Sequence, residues 1–230
     1  MGSLNVARMG FFCAVVNAPD TPPTQIDDRA QGIGLPVMEA FYTVQGEGLF
    51  SGQAAYFIRL AGCDVGCAWC DVKESWEASL HPVLAIADIV AEAARHPARI
   101  VVVTGGEPLM HDLTPLTNAL RAAGFRTHLE TSGAHPLSGD WHHICFSPKK
   151  FKAPLPAVAA EAHELKVVVF NSHDLLWAEQ HAASVPLKCA LYLQPEWDKR
   201  EAMMPLITAH VKAHPRWRIS LQTHKYLNIP

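Results

Sequence analysis

Three cysteines stand close together at Cys63, Cys67 and Cys70, in the segment Cys-Asp-Val-Gly-Cys-Ala-Trp-Cys. Thiolates are soft, anionic ligands, and a C-x3-C-x2-C loop can reach three corners of an iron–sulfur cube. With only three thiolates nearby, the fourth iron would be open to an outside ligand. A cluster that acts on a substrate needs that opening; one that only carries electrons does not. Gly62 and Gly66 leave the backbone free to wrap around such a cluster. Zinc is the rival reading. It usually takes four Cys or His ligands, and no second CxxC follows, although scattered histidines could complete a set. The other cysteines carry no such pattern: Cys145 and Cys189 fall in apolar runs and read as small buried residues.

A loop of this kind must be held by a larger frame. The chain has 230 residues, 49% of them hydrophobic, which is enough for a sizeable core and argues against disorder. Nineteen basic and twenty-two acidic residues give a formal charge of −3 with no Lys/Arg block, so nothing points to nucleic acid. No apolar run approaches the roughly 18 residues of a membrane span. Arg8 precedes the apolar stretch 10–16, but this is short for a secretory h-region, and Asn17-Ala18-Pro19 is a poor cleavage site. Gly2 is not followed by Ser or Thr at position 6, so myristoylation does not fit. A cytoplasmic protein is expected, with residues 1–34 as a loosely structured, Pro-rich extension and 35–230 as one catalytic domain.

From Pro36 onward, strand and helix patterns alternate. Strands are expected at Ala54–Leu60, 99–103, 126–129, 142–146, 164–170, 188–193 and 217–221. Helices are expected at 82–95, at 113–123 (closed by Gly124), from a Ser172 cap to about 183, and at 201–213. This order predicts a parallel sheet with helical crossovers, doubly wound or barrel-like. Nearly every strand is followed at once by a small polar or Gly-rich motif. Ligands bind at that edge of α/β sheets and barrels, so the repetition points to one shared site.

At this point the motifs resemble a known family. The C-x3-C-x2-C loop, with Trp69 before its last cysteine, is similar to the radical-SAM superfamily signature, and Gly105-Gly106-Glu107-Pro108 to that superfamily's GGEP motif. Six further segments together resemble the 7-carboxy-7-deazaguanine synthases over about residues 36–230. They are Val44-Gln45-Gly46-Glu47-Gly48, Phe57-Ile58-Arg59-Leu60, Glu130-Thr131-Ser132-Gly133, Ser147-Pro148-Lys149, Gln222-Thr223-His224-Lys225 and the ending at Pro230.

The resemblance implies an α/β fold, an incomplete (β/α) barrel of the radical-SAM type with a reduced helical complement, working as a homodimer. It implies a [4Fe–4S] cluster on Cys63, Cys67 and Cys70, S-adenosyl-L-methionine (SAM) as cofactor, and a reducing electron donor such as flavodoxin. It also implies conversion of 6-carboxy-5,6,7,8-tetrahydropterin to 7-carboxy-7-deazaguanine with loss of ammonia, on the route to queuosine and other deazapurines.

By the same resemblance, Trp69, Cys70 and Asp71 pass close to SAM, and Gly106, Glu107, Glu130, Ser132, Ser147, Pro148, Lys149 and Gln194 line it. Val44, Gln45, Gly46, Glu47, Arg59, Thr104, His224 and the carboxylate of Pro230 contact the pterin. A carboxylate such as Glu47 suits the donor-rich pterin edge, and the substrate's own carboxylate suits Arg59, a planar cation. Where the family often has a hydroxyl residue that helps bind Mg2+, this chain has Val72, so Mg2+ stays an open expectation. Two rivals share the cysteine loop: an activase acting on a partner protein, and a cluster- or zinc-binding module without catalysis. The residues Trp76, Trp141, Trp177, Trp197 and Trp217 are expected to serve packing.

Overall fold

The computed structural model describes residues 34–230. The expected extension, and Cys13 with it, lie outside the described residues, except that Gly34 opens a strand. The strands are β1 (Gly34–Val44), β2 (Ala54–Leu60), β3 (Val83–Ala85), β4 (Ile100–Gly105), β5 (Arg126–Thr131), β6 (His143–Phe146), β7 (Glu164–Val169), β8 (Ala190–Pro195) and β9 (Trp217–Ile219). The helices are α1 (Ile86–Ala93), α2 (Thr114–Ala122), α3 (Pro156–Ala160), α4 (His173–Ala182), α5 (Arg200–Ala213) and α6 (Thr223–Leu227).

All the strands join one sheet in the order β3-β1-β2-β4-β5-β6-β7-β8-β9. From β2 to β9 every pairing is parallel. β3 and β9 are the two ends of the order, so the barrel is incomplete, and β5 passes to β6 without a helix between them. Strand alternation sorts the side chains. On the outer face, Tyr56, Ile58, Leu60, Val101, Val103 and Leu129 pack with Ile86 and Ile89 of α1 and Leu116 and Leu120 of α2. Further along, Leu165, Val167, Val169, Leu191 and Leu193 pack with Ala178 of α4 and Ile207 of α5. The inner face holds a small apolar patch of Ala55, Phe57, Ile100 and Val102, with Phe41 and Phe50 against it. Beyond this patch, the inward positions are largely polar.

The structure departs from the sequence expectations at β1, at the start of α1 and at the α4 cap, and it adds the short helices α3 and α6. β1 was not anticipated, because its exposed and half-buried residues show no clear period; it forms by antiparallel pairing with β2 and β3. The helix expected over 82–95 begins only at Ile86, and Val83–Ala85 pair instead with Gly34, Leu35 and Pro36. Ser172 makes no capping bond. The Asp174 carboxylate instead accepts from the Phe170 and Asn171 N–H groups, and Asn171 Oδ1 accepts from His173 N–H.

Candidate active site

The polar inward positions line a cavity of about 730 Å³. Arg59 on β2, Thr104 on β4, Glu130 on β5, Lys166 on β7 and Gln194 on β8 all project into it, because their neighbours Ile58, Val103, Leu129, Leu165 and Leu193 are taken by the outer core. Thr104, Glu130 and Gln194, expected in loops after strands, are instead residues of the strands themselves. Their geometry therefore rests on sheet register, with Arg59 opposite Thr104.

The loop after β1 forms the floor. Phe50 packs against His128 and His143, with ring centroids at 4.4 and 4.8 Å. Glu164 Oε2 accepts from Leu49 N–H at 3.0 Å, and Ser220 Oγ accepts from Gly48 N–H at 3.0 Å. Gly48 has φ +62°, a conformation that favours glycine, and a Cβ there would stand 2.0 Å from Glu164 Oε1 and displace that carboxylate. The loop delivers Gln45 and Glu47 to the cavity. Gln45 Nε2 donates to Glu130 Oε1 at 3.0 Å, and Gln45 Oε1 accepts from Glu47 N–H at 3.0 Å. Thr104 Oγ1 donates to the other oxygen of Glu130 at 3.3 Å. Glu47 pairs with Lys166 Nζ and accepts from Gln222 Nε2 at 3.0 Å, and Lys166 also lies 4.0 Å from Glu130.

Burial raises the Glu47 pKa, but Lys166, aided by His224 and Gln222, outweighs it and holds the carboxyl at about 2. Burial likewise disfavours charge on Lys166, yet Glu130 and Glu47 keep it well above the usual lysine range. An ionised carboxylate and its cation thus sit beneath the cavity.

Cys63, Cys67 and Cys70 form part of the opposite wall, backed by Val65 and Ala134. The loop is anchored by Gly62 N–H to Ser75 O at 2.7 Å, Cys63 N–H to Trp76 O at 3.1 Å and Glu107 N–H to Gly62 O at 2.8 Å. Burial pushes the Cys67 thiol up to about 11, so the positive charge of a bound centre must supply what holds it as a thiolate. Zinc on three thiolates would bring their sulfurs about 3.8 Å apart at Zn–S distances near 2.3 Å. Among the described residues, the only three Cys, His or carboxylate ligand atoms lying within 4.8 Å of one another belong to Glu179, His210 and His214. At least one pair of the three thiols therefore lies farther apart than a single zinc would hold it. Next to them, Lys149 Nζ donates to Ser147 Oγ at 2.6 Å and lies over the Trp69 ring at 5.7 Å.

The C-terminal segment closes one side. Thr223 N–H donates to Gly46 O at 2.9 Å, and Lys225 pairs with Asp71 at 3.1 Å while lying over Trp197 at 5.0 Å. Thr43 Oγ1 donates to Pro230 O at 3.2 Å. Arg59 Nε pairs with Glu39 at 2.6 Å at the rim.

Of the residues expected at the site, Val44, Gln45, Gly46, Glu47, Arg59, Cys63, Cys67, Trp69, Cys70, Asp71, Thr104, Gly106, Glu130, Ser132, Ser147, Lys149, Gln194, His224 and Pro230 all line this cavity. Glu107 and Pro148 do not. Glu107 is buried and turned away: its carboxylate accepts from Leu109 N–H, Thr131 Oγ1, and Ser132 N–H and Oγ. It shapes the wall without forming it. Glu130 bonds Gln45 and Thr104, so it bridges the two groups of residues that the resemblance assigns to substrate and cofactor. Trp76 and Trp197 line the cavity and are not mere packing. Lys166 and Gln222 were not anticipated; a lysine inside the apolar run Leu165-Lys166-Val167 was the available sign.

The Radical SAM superfamily model matches residues 57–144, which include the cysteine loop and Gly105-Gly106-Glu107-Pro108. A 7-carboxy-7-deazaguanine synthase of Flavobacterium psychrophilum is 55% identical over 200 residues, covering 87% of this chain and 95% of the relative. That of Synechocystis is 48% identical over 197 residues, covering 86% and 94%. The crystal structure of QueE from Escherichia coli matches with a TM-score of 0.74 at 32% identity, over 86% of this chain and 99% of that one.

Proposed function

The chain belongs to the 7-carboxy-7-deazaguanine synthase family of radical-SAM lyases, and from that premise we propose that its cavity converts 6-carboxy-5,6,7,8-tetrahydropterin to 7-carboxy-7-deazaguanine with loss of ammonia. The observation that carries this reading is one cavity with the three thiols on one wall and the ionised Glu47, held by Lys166, beneath. When bound, the cluster and SAM supply hydrogen-atom abstraction from, and return to, a substrate carbon.

The chain's own residues place the reactants. Cys63, Cys67 and Cys70 hold the cluster. Gly106, Ser132, Ser147, Lys149 and Gln194, with Trp69 and Asp71, form the SAM side. Each Glu47 oxygen accepts one bond from the protein and keeps a lone pair for the N–H groups of the pterin edge. Gln45, Gly46, Thr104 and His224 flank that edge, and Val44 and Pro230 border it. Burial lowers the His224 pKa, so its imidazole is neutral and can accept as well as donate. Arg59, kept at the rim by Glu39, faces the substrate carboxylate. At about 730 Å³, the cavity bordered by the floor loop and α6 is of small-molecule size; activation of a partner protein would need a broader surface.

The family resemblance supports three further parts of this proposal: a homodimer, a donor such as flavodoxin and a cytoplasmic setting. No described helix is long and apolar enough to cross a membrane. Val72 lines the cavity without a ligand oxygen, and Asp71 is paired with Lys225, so Mg2+ would be held chiefly by substrate oxygens and water.

The test is anaerobic reconstitution, reduction, and incubation with SAM and 6-carboxytetrahydropterin. Deazapurine absorbance and free ammonia are expected in equal amounts. A fully loaded, reduced enzyme that forms neither would refute the assignment. Arg59→Lys should raise KM for the pterin roughly ten- to hundredfold, matching the about 1.5–3 kcal/mol of a hydrogen bond to a charged group. Cluster content should not change. An unaltered KM would remove Arg59 from the substrate site.

A further inference from the structure

The chain contains a His-x3-His segment, His210-Val211-Lys212-Ala213-His214, which no part of the proposed reaction uses. His210 lies in the last turn of α5, and His214, just past its end, is tied back by His214 N–H to His210 O at 2.8 Å. A spacing of four places both rings on one side of the helix, where they stack at 4.3 Å. Glu179 of α4 meets them: its Oε1 is 2.8 Å from His210 Nε2 and 4.0 Å from His214 Nδ1. The indole N–H of the buried Trp217 also donates to this oxygen at 2.8 Å, fixing the carboxylate.

We propose that Glu179, His210 and His214 form a second metal site, for a divalent transition ion of the zinc type. Two imidazoles and a carboxylate suit zinc, with water as the fourth ligand. Copper(I) would want sulfur, and Ca2+ or Mg2+ more oxygens than one glutamate offers. Ligand atoms about 2.0–2.2 Å from zinc must lie roughly 3.2–3.6 Å from one another in a tetrahedron. The 2.8 and 4.0 Å separations fall on either side of that range, so small side-chain rotations close the site. The Trp217 indole supplies the outer hydrogen bond that commonly orients a ligand.

The place of the site indicates its role. Trp217 is the first residue of β9, whereas the cavity draws on Gln194 and residues 195–199 at the far end of β8. The ion therefore works at the end of the barrel away from the chemistry, clamping the end of α5 to α4, and acts on stability.

The experiment titrates Zn2+ anaerobically into cluster-loaded enzyme, whose cysteines are already ligated, with calorimetry, iron analysis and thermal melting. One equivalent should bind without loss of iron and raise Tm. His214→Ala removes a half-exposed side chain, so its zinc-free Tm should stay near wild type while zinc affinity falls on the order of tenfold or more. Glu179→Gln should lose affinity likewise. The site does not exist if wild type takes up no zinc, or if His214→Ala binds it with unchanged affinity and stoichiometry; Glu179, His210 and His214 are then only an ion-paired corner.

Discussion

Replacing Lys166 with methionine should cost about 3–5 kcal/mol of stability and abolish turnover of the pterin, because it leaves Glu47 and Glu130 at the cavity without their cation. Methionine preserves the length and apolar contacts of the stem, so what is lost is the charge. In the wild type the Glu47 carboxyl is held down at about 2, below its ordinary 4.5. Its contribution to stability is therefore present above about pH 4.5 and is lost as the pH falls through that value toward 2. In Lys166→Met, burial, the largest influence on Glu47, would face only His224 and Gln222 and would raise it. The variant should then become more stable on acidification from neutral pH, the opposite of the wild-type trend. Urea denaturation across pH checks both the size and the sign. Glu47→Gln combined with Lys166→Met should recover part of the stability but none of the activity. A single variant within about 1 kcal/mol of wild type at pH 7 would show that the pair does not organise the floor.

A second large effect is expected at Gly106. A Cβ there would lie 2.3 Å from Gly62 O and 2.9 Å from Cys63 Cβ, so Gly106→Ala must push the cysteine loop off its seat. Backbone atoms cannot yield as a flexible side chain does, and three thiols must fit one rigid cluster. Iron and sulfide content after reconstitution should fall at least about tenfold, and SAM cleavage with it, a loss in line with a misplacement of about 1 Å at a reacting centre. The sheet should survive, since Gly106 lies beyond the end of β4. Gly124→Ala is the control: unlike Gly106, Gly124 has a positive φ (+83°), but a Cβ there meets nothing within 4 Å, so the change should cost some stability and no iron. Full iron loading in Gly106→Ala would show that the loop has room the structure does not reveal.

Lys166 and Gly106 also show how far the sequence could be read. The cysteine spacing and Gly-Gly-Glu-Pro are contiguous in the chain, so their chemistry could be recognised before any fold was known. The strands were legible for a similar reason: Ile100–Gly105 and Glu164–Val169 are apolar runs of strand length. What could not be read was set by partners distant in sequence. β1 takes its form from β2 and β3, the Val83–Ala85 segment from Gly34–Pro36, and Glu107 from Thr131 and Ser132, which turn it away from the cavity.

The sequence by itself determined the cysteine loop and the succession of the main strands, because those depend on short spacing and local period; most residues of the cavity wall were named through the family resemblance. Only the tertiary structure decided which face of each strand looks inward and which charges meet there. Lys166 sits 119 residues from Glu47, and Gln222 sits 175 from it. Only the closing of the sheet brings them together, and only burial sets Glu47 and Lys166 as one ion pair under the cavity. The His210–Glu179 meeting arises in the same way, by packing α5 on α4, and the spacing of the two histidines alone could not show the carboxylate between them.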